Sequence, residues 1–360
     1  MPVTDADVLN ALAVVQDPDL HRDIVALGFV KELKIDGGHV SFTIELTTPA
    51  CPVKDQMRDQ ARAAVQRVPG VTAVDVTMSA SVRSASLGGD GPRQPVPGVK
   101  NIVAVGAGKG GVGKTTVAVN LALALGKCGG RVGIIDGDIY GPNVPIMLGM
   151  KTQLVTDGQK IIPAEKYGLQ VISMGFLTGD DAPIIWRGPM LHGALQQFFR
   201  EVRWMDLDYL IIDMPPGTGD VALSLSQTVP TAGAIVVTTP QEVSLADTRR
   251  AIGMYKKLNI PPLGVIENMG YFVCPNCLHE ADIFGRGGGE RMAAELGVPF
   301  LGRIPLYQPI REGGDSGVPL VVAEPDSPAA RAFISVAEQT AAQLSIASYN
   351  RPTIPLTPVS

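Results

Sequence analysis

Apolar residues along this chain follow two different rhythms. In the first 83 residues they alternate or recur at helical spacing. Val8, Leu9, Leu12 and Val15 share one helical face, and Thr4 with Asp7 ahead of them has capping-box spacing. "FVKELKI" and "HVSFTIEL" flank Asp36-Gly37-Gly38, which predicts a hairpin. Val40, Phe42, Ile44 and Leu46 alternate with polar residues, so one face of that strand is buried. Val53, Met57, Ala61 and Val65 then return to helical spacing, and "VTAVDVTM" closes the segment as a strand. The pattern predicts a small α+β domain over residues 1–83.

From residue 100 the rhythm changes. "NIVAVGA", "RVGIIDGD", "YLIIDMPP", "AIVVTTP" and "LGVIENM" are short, nearly continuous apolar runs. Parallel strands covered on both faces have this character. Helical stretches at 114–127, 187–200, 220–229, 242–258 and 288–296 separate them, and Pro328 opens a final helix. Such alternation predicts a doubly wound, mostly parallel α/β domain over 100–347. "SASLGGDGPRQPVPGVK" (84–100) is dense in glycine and proline, which predicts a linker over 84–99. "SYNRPTIPLTPVS" predicts a flexible tail over 348–360.

Composition narrows the functional classes. The formal net charge is −5 and no Lys/Arg cluster stands out, which disfavours a nucleic-acid partner. No apolar run approaches the roughly 18–20 residues that cross a bilayer, and no signal peptide is visible. The chain has only four cysteines, too few for a disulfide scaffold. A cytoplasmic protein without membrane attachment is expected, with thiols available for metal or redox chemistry.

"GAGKGGVGKTT" (106–116) carries the strongest chemical signal. It contains G-x-x-x-x-G-K-[ST] from Gly108 to Thr115, between an apolar strand and a helical run. In such a loop Gly108, Gly110, Gly111, Val112 and Gly113 turn backbone N–H groups toward phosphate oxygens, and the helix N-terminus adds a favourable dipole. Lys114 reaches the β- and γ-phosphates. The Thr115 hydroxyl binds Mg²⁺, and Thr116 continues the phosphate-binding turn. Further carboxylates end two strands on the ligand edge of the sheet. Asp213, in "YLIIDMPPGTGD", has Walker B form and supports Mg²⁺. Asp138, in "IIDGD", is placed to orient the attacking water, whereas Asp136 reads as structural. Gly217 could offer its N–H to the γ-phosphate.

Lys109 lies inside the loop, where an ordinary P-loop needs no lysine. "GKGGVGKT" therefore resembles the deviant Walker A class, which includes MinD, ParA and the nitrogenase iron protein. That resemblance implies that Lys109 acts across a dimer interface on the partner's nucleotide. Trans cations of this kind are worth roughly 10³–10⁵ in rate.

"YFVCPNCLHE" (271–280) poses a different problem. Cys274 and Cys277 have metal-ligand spacing but supply only two thiolates. A two-fold homodimer would turn two into four, which suits an iron–sulfur cluster or zinc. His279 reads as a solvated loop residue and Cys128 as packing.

Taken together, "PGVKNIVAVGAGKGGVGKTT", "IIDGDIYGPNVP", "IIWRGPM", "YLIIDMPPGTGD", "GVIENMGYFVCPNC" and "IFGRGGGERMAAELGVPFLGRIPL" resemble the Mrp/ApbC family of iron–sulfur cluster carrier ATPases. The family's customary serine before the P-loop glycine is Ala107 here, and its K-S-T is Lys114-Thr115-Thr116. The resemblance implies a [4Fe–4S] cluster bridged by Cys274 and Cys277 of two subunits, ATP hydrolysis, and delivery to apo-protein clients. It also implies that Asn268 reads adenine. Residues 7–80, through "DPDLHRDIVALGFV", "TTPACP" and "VPGVTAVDV", resemble a small iron–sulfur assembly domain. Cys51 would sit near a helix N-terminus there, where a thiol is acidified, and could serve as an accessory thiol. Two other readings keep the fold. One is a MinD/ParA-like partitioning or positioning ATPase, the other a carrier-like chain whose CxxC holds structural zinc. A partitioning ATPase needs an amphipathic or basic surface, and the C-terminal stretch offers neither.

Overall fold

A computed structural model describes residues 2–85, 94–138, 141–176, 188–215, 219–274, 276–277 and 279–349. The chain forms two compact units. One runs to Arg83 and also takes in the chain from Ala341 onward; the other is Ser84–Thr340.

The first unit opens with helix α1 (Asp5–Leu12), capped reciprocally by Thr4 and Asp7. The Asp7 N–H donates to Thr4 Oγ1 at 3.3 Å, and the Thr4 N–H donates to Asp7 Oδ2 at 3.1 Å. Strands β1 (Val30–Asp36) and β2 (His39–Leu46) form the expected hairpin, turning at Gly37 with φ of +60°. Helix α2 (Lys54–Gln66) then leads to β3 (Ala73–Ala80), which pairs parallel to β2. Val40, Phe42, Ile44 and Leu46 point inward onto Val8, Leu12, Met57, Ala61 and Val65. The last turns of the final helix complete this unit. The Tyr349 ring meets Phe29 edge-on at 6.0 Å, and its hydroxyl donates to the Leu27 carbonyl at 3.1 Å.

The second unit is built on an eight-stranded sheet. Its elements are β4 (Val99–Ala107), α3 (Lys114–Lys127), β5 (Val132–Asp136), β6 (Ala164–Lys166), β7 (Leu169–Ser173), α4 (Gly188–Arg200), β8 (Leu207–Asp213) and α5 (Gly219–Thr228). They continue with β9 (Gly233–Thr238), α6 (Glu242–Lys257), β10 (Pro262–Glu267), α7 (Gly288–Leu296), β11 (Phe300–Arg303), α8 (Gln308–Ser316) and α9 (Pro328–Tyr349). The strand order is β6-β7-β5-β8-β4-β9-β10-β11, and every pairing is parallel except β6 with β7. Every residue of β5, β8 and β9 is buried, which explains their unbroken apolar character. The alternating apolar runs thus form the doubly wound sheet that the sequence predicts.

Two features were not legible in that pattern. The antiparallel edge strand β6 returns through a tight turn at Tyr167 and Gly168, both with positive φ. The hydrophobic rhythm places the end of the α/β domain at 347, yet contacts divide α9 at Ala341. A helix keeps the same apolar period when the surface it packs against changes, so the switch leaves no mark. Half of the expected linker, residues 86–93, and most of the expected tail, residues 350–360, lie outside the described residues.

Strand register places the chemistry. Ser173 of β7 lies opposite Asp136 of β5, Asp136 opposite Asp213 of β8, and Asp213 opposite Val105 of β4. These are the carboxyl ends of adjacent parallel strands, the edge at which open α/β sheets bind ligands.

Candidate nucleotide site and cysteine hairpin

The loop from Gly108 to Gly113 joins β4 to α3. Gly113 caps α3 at φ of +79°, a left-handed conformation that disfavours side chains, and a Cβ there would collide with the Asn268 amide. Gly108 packs against the Asp247 backbone of α6 just as closely. Gly110 and Gly111 are exposed, Val112 is buried and Thr116 is half-buried at the helix start. Lys114 is buried, and its ammonium contacts Asp213 Oδ1. The Thr115 hydroxyl donates to Asp213 Oδ2 at 2.7 Å. Lysine, threonine and Walker B aspartate therefore converge in one cluster.

Asp213 is fully buried. Burial pushes its carboxyl pKa up, the Lys114 ammonium and Thr115 hydroxyl work against that, and the nearby Asp138 charge adds to the rise. Asp138 is half-buried and stands two residues past Asp136. Lys109 is half-buried and has no hydrogen bond or ion pair with another described residue. Gly217 lies outside the described residues.

Asn268, just past β10, is buried and donates from Nδ2 to the Val112 carbonyl at 2.8 Å. It joins Gly113, Thr115 and Thr116 in lining a cavity of about 420 Å³. Tyr307 and Arg311, from the chain leading into and along α8, also line it. The cavity opens beside the α3 N-terminus, is flanked by a buried amide and is large enough for a nucleoside. Periodicity gave no signal for the α8 wall, because its members are scattered through a short helix.

A strip of backbone bonds leads from Asn268 to the cysteines. The Ile304 N–H donates to the Glu267 carbonyl at 2.9 Å, and Gly270 N–H to the Ile304 carbonyl at 3.0 Å. Leu306 N–H donates to the Tyr271 carbonyl at 2.6 Å. The Glu267 side chain is buried and accepts N–H groups from Gly287 and Gly289 at the start of α7. Phe272–Val273 and Glu280–Ala281 then pair antiparallel, and the Cys274 N–H donates to the His279 carbonyl at 3.0 Å. Inside this turn the Cys274 sulfur accepts backbone N–H groups from Cys277 and Asn276, which hold its thiol below the ordinary range. Cys274 is half-buried, while Cys277 and His279 are exposed. Among the described residues no cluster of three or more His, Cys, Asp or Glu side chains could hold a metal. The hairpin brings two cysteine side chains into one turn.

The remaining cysteines stand apart. Cys51 is buried in the core of the first unit, ahead of α2. Cys128 is half-buried at the end of α3. No helix among the described residues is long and apolar enough to cross a membrane.

Comparison with known proteins places this geometry. Residues 98–341 match the family described as NUBPL iron-transfer P-loop NTPase, and residues 5–76 match that described as iron–sulfur cluster assembly protein. The chain is 49% identical to the iron–sulfur cluster carrier protein of Synechocystis, over 97% of this chain and 99% of that one. It is 41% identical to the Escherichia coli K12 protein of the same name, over 94% and 92% of the two chains. Among solved structures, a nucleotide-binding protein from Archaeoglobus fulgidus in complex with ADP aligns at a TM-score of 0.58. It shares 34% identity and covers 66% of this chain and 93% of its own. The Pyrococcus furiosus cell division ATPase MinD aligns at a TM-score of 0.50 with 27% identity, over 66% and 97%. MinD shares the fold, whereas full-length identity runs to the carriers. A P-loop with its aspartate, joined by a short hydrogen-bonded strip to a two-cysteine hairpin and preceded by an assembly-type domain, marks this chain as a member of the iron–sulfur cluster carrier family of P-loop NTPases.

Proposed function

We propose that the chain binds and hydrolyses ATP and carries a [4Fe–4S] cluster for delivery to apo-proteins. The half-complete cysteine hairpin carries this reading. Two chains related by a two-fold axis would each contribute Cys274 and Cys277, giving the four thiolates such a cluster takes. The N–H groups aimed at Cys274 favour the thiolate, the form that binds iron. Structural zinc would use the same thiolates, and metal analysis after anaerobic purification separates the two.

In the nucleotide site the loop N–H groups and the α3 N-terminus cradle the phosphates. Lys114 leaves Asp213 for the β- and γ-phosphates, which releases Asp213 and Thr115 to support Mg²⁺. The charges favour this exchange, since a polyphosphate offers a lysine more anionic oxygens than one carboxylate. Asp138 orients the attacking water, Gly217 offers an N–H to the γ-phosphate, and Asn268 contacts the base. Lys109, without a partner among the described residues, is available to a second copy's nucleotide. Anaerobic reconstitution with iron and sulfide, read by Mössbauer spectroscopy and sizing, tests the carrier half. About one four-iron cluster per two chains is expected from the ligand count. A stable cluster on a monomer would overturn the bridged arrangement.

A further inference from the structure

Asp136 is the most expensive side chain in the nucleotide site that the reading above leaves without a task. It is fully buried at the end of β5, directly opposite Asp213 in the parallel register. Asp213 has Lys114 against it, but Asp136 has no cationic partner among the described residues. Its neighbours are neutral donors. The Asp138 N–H reaches Oδ1 at 3.2 Å, the Val144 N–H reaches Oδ2 at 3.1 Å, and the Ser173 hydroxyl reaches Oδ2 at 3.2 Å. A second carboxylate buried beside Asp213 is unfavourable for stability alone, since isolated buried charge is costly and like charges compound it.

The pattern of acceptance explains why a carboxylate stands there. Each of its oxygens takes a different backbone N–H. An asparagine of the same shape could serve one but would turn an NH₂ donor toward the other. The two N–H groups belong to Asp138, the water-orienting carboxylate, and to Val144, which starts the short helix Val144–Met147. Asn143, Ile146 and Met147 of that region line the 420 Å³ cavity. One buried side chain therefore ties the hydrolytic residue to the start of the short helix beside the cavity. Gly137, between the two aspartates, donates its N–H to the Asp213 carbonyl at 2.9 Å, and a Cβ there would lie 2.8 Å from that oxygen. This close approach seats Asp136 and Asp138 on the Walker B strand.

We propose that Asp136 is a positioning residue for hydrolysis, clamping Asp138 and the Val144 helix start through its two carboxylate oxygens while Ser173 holds the clamp in place. This rests on the ATPase reading above. It predicts that the clamp acts on turnover more than on nucleotide affinity, because its N–H partners orient the hydrolytic group, while Lys114 and the glycine loop hold the phosphates.

The test compares wild type, Asp136→Asn and Ser173→Ala for ATP affinity, turnover, thermal unfolding and amide hydrogen exchange. Asp136→Asn should keep ATP affinity within about threefold and stay folded at the assay temperature, since burial and the Asp213 charge already push the Asp136 carboxyl pKa up to about 8 and little buried charge is lost. Its kcat should fall about 100-fold, the scale expected for a misplaced catalytic group. Exchange protection at the Asp138 and Val144 amides should drop, with the rest of β5 unaffected. Ser173→Ala should lower kcat less, and adding it to Asp136→Asn should cost nothing more. Unchanged kcat in Asp136→Asn, or parallel loss of affinity and turnover, would overturn the proposal. If wild type binds ATP without hydrolysing it, the ATPase reading fails instead. The exchange measurement then decides the clamp on its own: full protection at both amides in Asp136→Asn rejects it.

Discussion

The nucleotide site and the cysteine hairpin lie only six positions apart, from Asn268 to Cys274, yet they are built on opposite principles. The first has its glycine loop, lysine, hydroxyl and carboxylates on one chain, brought together by the register of adjacent parallel strands. The second is a two-residue strand pair holding two thiols, with no third ligand among the described residues. Parallel strands of fixed register place side chains to within a fraction of an ångström, which suits a bond-breaking reaction. An exposed hairpin suits a cargo that must be received and given up. On the proposed reading, the difference separates a site that would need a partner for its ligands from one that would need a partner at most for rate.

Removing one cysteine should have the largest effect on the hairpin. In a bridged site each substitution deletes a ligand from both chains. Cys274→Ala and Cys277→Ala should therefore each abolish stable cluster binding in anaerobic reconstitution, with ATP binding unchanged. Cys51→Ala and Cys128→Ala should leave the cluster in place, because Cys51 lies in the core of the first unit, Cys128 ends α3, and neither belongs to the hairpin. A cluster that survives without Cys274 would mean that the hairpin is not half of a shared site.

Lys109→Gln asks whether the nucleotide site is as self-contained for catalysis as for binding. If the lysine acts on a partner's nucleotide, ATP affinity should hold while turnover falls by about 10³-fold or more. Equal loss of affinity and turnover would return Lys109 to its own subunit. Lys114→Ala should do the opposite and weaken ATP binding itself. Losing one partner of a desolvated charge pair costs about 2–5 kcal/mol, roughly 30- to several-thousand-fold in affinity. Isothermal titration with ATP checks both, and normal binding by Lys114→Ala would contradict the P-loop assignment.

Much of this was legible in the sequence, for physical reasons. A phosphate-binding loop needs glycines at fixed offsets between a strand and a helix, so "GKGGVGKTT" carries its own context. Helix α3 starts at Lys114, where the pattern predicts. The two-cysteine spacing predicts a half-site, and backbone N–H groups of Cys277 and Asn276 hold the Cys274 thiol below its ordinary range. Asp136 and Ser173 were not legible as partners. They lie 37 residues apart and meet only because β5 and β7 are neighbours in a given register. The buried Glu267 brace escaped for the same reason, since its partners Gly287 and Gly289 belong to a helix start about 20 residues downstream. Long-range register, rather than local composition, is what one sequence withholds.

Asn268 touches both regions. Its side chain donates to the Val112 carbonyl inside the P-loop. Its backbone N–H donates to the Thr238 carbonyl at 2.8 Å, at the start of the strip that leads to Cys274. Asn268→Ala removes only the side-chain bond and leaves the backbone bond in place. One lost buried hydrogen bond with an unsatisfied carbonyl costs about 1–3 kcal/mol. ATP affinity should therefore fall by roughly five- to a hundredfold, as converted at 1.4 kcal/mol per decade. Cluster content after reconstitution should stay at its wild-type level, because the strip from Glu267 to Val273 is held by backbone bonds that the substitution does not touch. If cluster content falls along with ATP affinity, the two sites are not independently built, and the Asn268 side chain is part of the support for the cysteine hairpin.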